Sequence, residues 1–354
     1  MVVNPWSPNH WAGASSTGSA VATAAGLSTA SLGTDTGGSI RTPCTVNAVT
    51  GLKPTWGRVS VHGAFVMAPS LDSIGPMARS GEDAYHVMQA IAGPDVNDPT
   101  AVRAAVPDYA VGPPEVKGTR IGFDPEGTLD AVEPEVAQVV RDALGAFEGL
   151  GADIREVSLP STMGLAAAWG AYAGAEAAVV YAETFPSRFA EYGLFMRQLL
   201  GSGYAVSGID ISRIENERRV FVGMLAAHFE DLDLVVLSVL PVADATLDRF
   251  TRLLYDSDEL PNTFRFTAPF NFSGNPMITL PGGFDGSGVP IGLQLVARHL
   301  DEPLLARAGR AFQSATNWHL RRPPVCAQAR VVAARVSHSR SSQRVIALRI
   351  VALR

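Results

Sequence analysis

Two glycine-flanked serine segments, GASSTGSA at residues 13–20 and GTDTGGSIRTP at residues 33–43, constrain this chain more than any other part of it. Small side chains let backbone pack on backbone, and glycine permits turns that other residues resist. Gly37 and Gly38, immediately before Ser39, allow successive N–H groups to point at one spot about 3 Å from the serine hydroxyl. A hydroxyl attacks a carbonyl only when a base takes its proton and donors receive the oxyanion, and this segment is suited to the second task. Taken alone, it also reads as a glycine-rich turn capped by Ser39 and Asp35. The first segment, with Ser15, Ser16 and Ser19, favours the chemical reading. Only one helix and one strand fit between the two, so the chain can fold back and bring a second hydroxyl to relay a proton from the first.

Residues 4–80 are rich in Gly, Ser, Thr and Ala, with prolines at 43, 54, 69 and 76, which predicts irregular, closely packed backbone. Within them, 19–26 read as a small-residue helix and 27–32 as a short buried strand. Ser80 with Asp83 predicts a capped helix that Gly93 ends. Beyond residue 118 the pattern becomes regular. Residues 119–123 read as a strand, and Pro134 opens an amphipathic helix to 150 with Val136, Val139, Val140, Leu144 and Phe147 on one stripe. Residues 153–159 read as the next strand. This alternation predicts an α/β fold with a mixed or parallel sheet and helices on its faces. Residues 162–230 read as helical and as a candidate lid, with breaks at Gly193, Gly201, Gly203 and Gly208. Strands at 232–240, 275–280 and 290–297 and a helix at 301–318 follow.

With 354 residues, 47% of them hydrophobic, the chain can bury a large core. A net charge of −6 gives no electrostatic reason to expect nucleic acid or an acidic membrane, so the expected partner is a small molecule. No uninterrupted apolar stretch reaches the roughly 20 residues of a membrane helix. Cys44 and Cys326 are the only cysteines and lack metal or redox spacing, so a reducing cytoplasm is the economical location. No H-E-x-x-H motif occurs, and neither a metal nor a cofactor is expected. From residue 326 the chain has six arginines and no acid; this reads as a disordered or artefactual tail rather than a basic arm for nucleic acid.

The paired segments resemble the amidase signature family, serine hydrolases with a Ser, cis-Ser, Lys triad. The hallmark is a GGSSGGS-like segment followed by GTDTGGSIRxP, matched here by GASSTGS and GTDTGGSIRTP, with Ala14 and Thr17 where glycine is usual. GLKPTWGRVS, SLDSIGPMARS, FNFSGNPMITLPGGF and GVPIGLQLVARHLDE extend the resemblance over residues 4–325. It implies the amidase-signature fold, a mixed β-sheet core covered by helices on both faces, as one domain over residues 1–325. It also implies Ser39 as the acylated nucleophile and Ser15 as the bridging serine on a cis peptide. The N–H groups of Thr36, Gly37, Gly38 and Ser39 would form the oxyanion hole, and Ser16, Asp35 and Arg41 would hold the loop, with Asp35 and Arg41 paired by charge.

The implied reaction is hydrolysis of a small-molecule carboxamide through an acyl-enzyme, releasing ammonia or an amine; a homodimer is compatible with it. The glutaminase-type A subunit of a tRNA-dependent amidotransferase carries the same motifs and is the alternative. Residues 160–260 are the expected specificity region, where Trp169, Tyr172, Phe195, Met196 and Tyr204 line an acyl pocket or pack helices together.

The family's general base is a lysine further upstream than the fourteen residues that precede Ser15. The resemblance therefore implies either a lysine encoded upstream or a catalytically defective chain that keeps the fold. Lys53 and Lys117 are the only lysines. Lys53 reads as a partly buried packing or ion-pair residue, and Lys117, in a Pro/Gly linker, as solvated. A Ser–His–Asp arrangement is the nearest competing chemistry and would draw on His62, His228 or His299, but there is no G-x-S-x-G elbow at either serine.

Overall fold

Leucine and valine runs at 234–238 and 290–297 supply strands that are buried along their whole length, as expected of strands covered on both sides. The computed structural model describes residues 2–109, 112–129, 132–256 and 258–326. The arginine-rich tail anticipated at 326–354 lies, from 327 on, outside the described residues.

The chain runs through α1 (Thr17–Ala24), β1 (Ala30–Asp35), α2 (Arg41–Asn47), β2 (Thr50–Lys53), β3 (Ser73–Ala78), α3 (Gly81–Ile91), β4 (Arg120–Phe123), α4 (Pro134–Gly149) and β5 (Asp153–Glu156). It continues through α5 (Met163–Val180), α6 (Leu194–Ala205), α7 (Gly208–Asp231), β6 (Leu234–Ser238), α8 (Leu247–Tyr255), α9 (Leu260–Phe264), α10 (Ala268–Ser273), β7 (Met277–Phe284), β8 (Pro290–Ala297) and α11 (Glu302–Ala315). The strands form one eight-stranded sheet in the order β1-β3-β2-β7-β8-β6-β4-β5. β4 pairs in parallel with β5 and β6, and the other neighbours are antiparallel, so the sheet is mixed.

Alternation along β6 shows how both faces are covered. Leu234 and Val236 pack with Met88 of α3, Val140 and Phe147 of α4, and Leu305 and Phe312 of α11. Val235 and Leu237 point the other way, into a cluster with Trp169 of α5, Phe221 and Leu225 of α7, and Phe272 of α10. The expected stripe on α4 is buried throughout. Ser80 caps α3 by accepting from the Asp83 N–H.

Several local readings shift: the strand expected at 153–159 ends at Glu156 and the one expected at 275–280 is Met277–Phe284. The strand anticipated at 27–32 is β1, Ala30–Asp35, and Leu27 is exposed; the ladder to β3, with Ala30 opposite Ala78 and Asp35 opposite Ser73, fixes its span. β1 is an edge strand, and α1 blunts it, because Ser19 Oγ donates to Leu32 O (2.8 Å) and Ser16 Oγ to Thr34 O (3.1 Å). Gly193 and Gly208 do mark helix starts, but Gly201 and Gly203 lie inside α6. A Cβ at Gly203 would sit 2.0 Å from the Gly174 carbonyl of α5, so that glycine serves close helix packing rather than a break.

α5 is the one described helix long and apolar enough to cross a membrane by length and composition. Here its Leu165, Trp169, Tyr172 and Ala173 are buried, and Glu176 accepts from the Ser70 N–H at 3.0 Å.

Candidate active site

The second serine segment is the connection from β1, the sheet edge, to α2. Asp35 ends β1 with no exposed side-chain surface, and Arg41 opens α2, equally buried. The guanidinium reaches back with Nη2 to Asp35 Oδ1 (2.8 Å) and Nε to Oδ2 (3.0 Å), a bidentate pair. Asp35 also accepts from the Gly38 N–H (2.8 Å) and the Ile40 N–H (3.0 Å), so one carboxylate shapes the whole turn. Burial alone would raise its pKa; the charge and hydrogen bonds of Arg41, the Lys53 charge and the Asn271 amide outweigh burial and hold it well below the usual carboxylate range. Arg41 further donates to Asn271 Oδ1 (2.6 Å) and Thr267 O (2.9 Å), tying the turn to α10.

A second set of contacts holds the start of the turn. Trp169 Nε1 donates to Thr36 O at 2.9 Å, and the Thr36 hydroxyl donates to Asp72. A Cβ at Gly37 would lie 2.7 Å from the Trp169 ring, and one at Gly38, where φ is +125°, 2.8 Å from the Thr267 side chain. Both glycines are therefore required by close walls, and Gly38 also by its backbone conformation. Gly38 was expected among the oxyanion donors, yet its N–H is given to Asp35. The N–H groups of Thr36, Gly37 and Ser39 have no acceptor among the described residues.

The first serine segment folds back onto this turn. The Ala14–Ser15 peptide bond is cis. Ser16 N donates to Ser39 O (3.2 Å), and Thr42 Oγ1 to Ala14 O (2.9 Å). Ser16 Oγ both donates to Thr34 O and accepts from Thr34 N, each at 3.1 Å. Ser16 bonds to Thr34 and Ser39, and Asp35 and Arg41 bond to each other across the turn. Ser39 is half-buried and Ser15 exposed.

Other candidates are not brought in. His299 Nε2 sits on Ser273 O at 2.8 Å, His62 is an exposed loop residue, and His228 lies near the end of α7. None of the three is bonded to either serine among the described residues. Lys117 is exposed, as read from its linker. Lys53 differs from expectation: it is fully buried rather than partly so, and no carboxylate lies within ion-pair distance among the described residues. Its Nζ donates to Pro54 O at 3.0 Å. Burial, with Arg41 adding to it, lowers the Lys53 pKa to about 7 against the pull of Asp35 and Glu302.

The sign of that shift sets a pH dependence. Below pH 7 the buried charge opposes folding in full, and the opposition fades as pH rises from the folded value of about 7 toward the unfolded value of 10.5. From pH 7 to 8.5 this one group should add about 1 kcal/mol of stability per pH unit. Urea melts of Lys53→Met should lack that rise, while the unsubstituted protein shows it. Equal slopes in the two proteins would contradict the assignment.

Asn271, Thr267, Asp72 and Trp169 were not singled out as loop supports from sequence. Asp72 and Asn271 do lie in recognised segments, SLDSIGP and FNFSGNP, so their buried polarity offered a signal; Trp169 offered none.

A buried acid–base pair beneath a glycine turn, two adjoining serine segments and a mixed sheet clothed on both faces define an amidase-type hydrolase. The profile of the Amidase family matches residues 1–306. AmiD of Mycobacterium tuberculosis (strain ATCC 25618 / H37Rv), named as a possible amidase, is 41% identical over 323 residues, covering 91% of this chain and 68% of AmiD. The A subunit of the glutamyl-tRNA(Gln) amidotransferase of Geobacter sp. (strain M21) is 35% identical, covering 91% of this chain and 71% of that protein. Among solved structures, the native peptide amidase of Stenotrophomonas maltophilia superposes with a TM-score of 0.74 at 29% identity, covering 91% of this chain and 69% of that one. This chain belongs to the amidase family and is an amide-hydrolysing enzyme.

Proposed function

We propose that Ser39 Oγ attacks the carbonyl carbon of a small-molecule amide. Its proton passes through Ser15 to a general base, which the family resemblance assigns to a lysine further upstream than this sequence reaches. The C–N bond breaks, the amine or ammonia leaves with a proton, and water then cleaves the Ser39 ester to release the acid. The N–H groups of Thr36, Gly37 and Ser39 receive the oxyanion. The observation that carries this reading is the return of the first serine segment onto the second, with Ser16 N bonded to Ser39 O beside a turn whose donors are free among the described residues. In this reading residues 160–260 also support the turn, through Trp169, whose ring centroid lies 5.3 Å from that of Phe264. Tyr172 is buried among helices and Tyr204 is exposed, with its hydroxyl on Phe185 O (3.3 Å), so packing and surface roles suit them better.

Trp169 acts here as a positioning residue. Its indole fixes the Thr36 carbonyl, and the Gly37 N–H belongs to the same planar peptide unit. Trp169→Phe keeps a ring but leaves Thr36 O unpaired, at a cost of about 1–2 kcal/mol. Ammonia or amine release should fall roughly tenfold in kcat with KM little changed. A change confined to KM would contradict the role and mark Trp169 as a substrate contact instead.

Similarity to the amidotransferase protein favours a second reading, in which the same Ser39 chemistry acts on glutamine. Ammonia released from glutamine in preference to simple carboxamides would select it.

A further inference from the structure

Away from the serine turn, three residues far apart in sequence converge. His10 comes from the segment leading to the first serine motif, Asp244 from the loop between β6 and α8, and Asp285 from the turn that follows β7. One ligand atom from each, an imidazole nitrogen and two carboxylate oxygens, lies within 4.8 Å of the others. We propose that they form a structural site for a divalent transition ion, Zn2+ in the first instance, that clamps the N-terminal segment to the sheet.

Asp285 provides the strongest physical reason. It is 9% exposed, and its Oδ1 accepts from Ser287 N, Ser287 Oγ and Val289 N at 2.7–2.8 Å. Its Oδ2 is buried and has no hydrogen-bond partner among the described residues. A buried carboxylate oxygen without a hydrogen-bond donor is costly, and a bound cation removes that cost. His10, 8% exposed, is already oriented as a ligand. Its Nδ1 is held by Ser7 Oγ at 2.7 Å, leaving Nε2 to face Asp244 Oδ1 at 2.8 Å. Two donors each about 2.1 Å from a tetrahedral zinc stand about 3.4 Å apart, so His10 Nε2 and Asp244 Oδ1 would part by about half an ångström to admit the ion between them. A hydroxyl on the far imidazole nitrogen is the usual kind of support for a metal-bound histidine. One imidazole with two carboxylates suits zinc, with water completing its shell.

The surroundings make the role structural. Trp11 N donates to Ala245 O (2.8 Å) and Leu247 N to Asn9 O (2.9 Å), so the segment already lies along the 244–247 loop. An ion at His10 would fasten it five residues before Ser15. The competing arrangement has an imidazolium on His10 in place of the ion.

The test uses the full chain, freed of metal with EDTA and titrated with zinc chloride by calorimetry, with thermal melts in parallel. One equivalent of zinc should bind, and Tm should rise by several degrees. Asp244 is 54% exposed, so Asp244→Asn should fold normally and weaken zinc at least tenfold; Asp285→Asn should do the same. Absence of binding, or binding equally tight in both variants, would overturn the proposal. The second outcome would place the zinc on other surface groups.

Discussion

Arg41→Met should destabilise the protein by about 3–5 kcal/mol at pH 7, the usual cost of leaving one member of a buried ion pair behind. Methionine retains much of the volume, so the loss is electrostatic. Asp35 would keep the Gly38 and Ile40 N–H donors but lose both guanidinium contacts, and Asn271 Oδ1 and Thr267 O would lose their donor. The folded pKa of Asp35 lies below its ordinary 3.8, so the stability from this pair is fully present above pH 3.8 and is lost as pH falls through the lower folded value. Measurement at pH 7 therefore reads the whole effect. Asp35→Asn/Arg41→Met should cost clearly less than the sum of the two single changes, because neither charge is then stranded. Additive losses in urea melts would show that the pair is not coupled.

Ser39→Ala is the counterpart, with a small structural effect and a large chemical one. The Ser39 side chain is half-buried, and its hydroxyl makes no hydrogen bond among the described residues; the support of the turn comes from Asp35, Arg41 and Trp169. Circular dichroism and Tm should be almost unchanged. Amide hydrolysis should fall by about 10⁴-fold or more, as when the nucleophile of an acyl-transferring triad is removed. A variant that retains a tenth of the activity would place the nucleophile elsewhere.

The parts of this architecture visible in the sequence are those whose causes are local. Asp35 and Arg41 lie six residues apart in one motif, so their pairing could be anticipated from the loop itself. Pro134 and Ser80 announce helix starts because capping chemistry acts within one turn. The apolar run at 27–32, by contrast, misplaced β1, because strand limits depend on the partner strand and Ala30–Asp35 is what faces β3. Gly203 looked like a break since nothing nearby in sequence reveals that Gly174 approaches it across a helix pair. Trp169 is bonded to a carbonyl 133 residues away, and Lys53 is buried with no ion-pair partner among the described residues. Long-range packing determines both, and local pattern carries no trace of it. His10, Asp244 and Asp285 escaped notice for the same reason.

The central claim is that Ser39 forms the covalent bond to the acyl group. The most direct measurement is to treat the purified chain with a serine-reactive probe, digest it and locate the added mass. The expected result is one modified peptide carrying the label on Ser39, absent from Ser39→Ala. Label on another residue, or label undiminished in Ser39→Ala, would contradict the account.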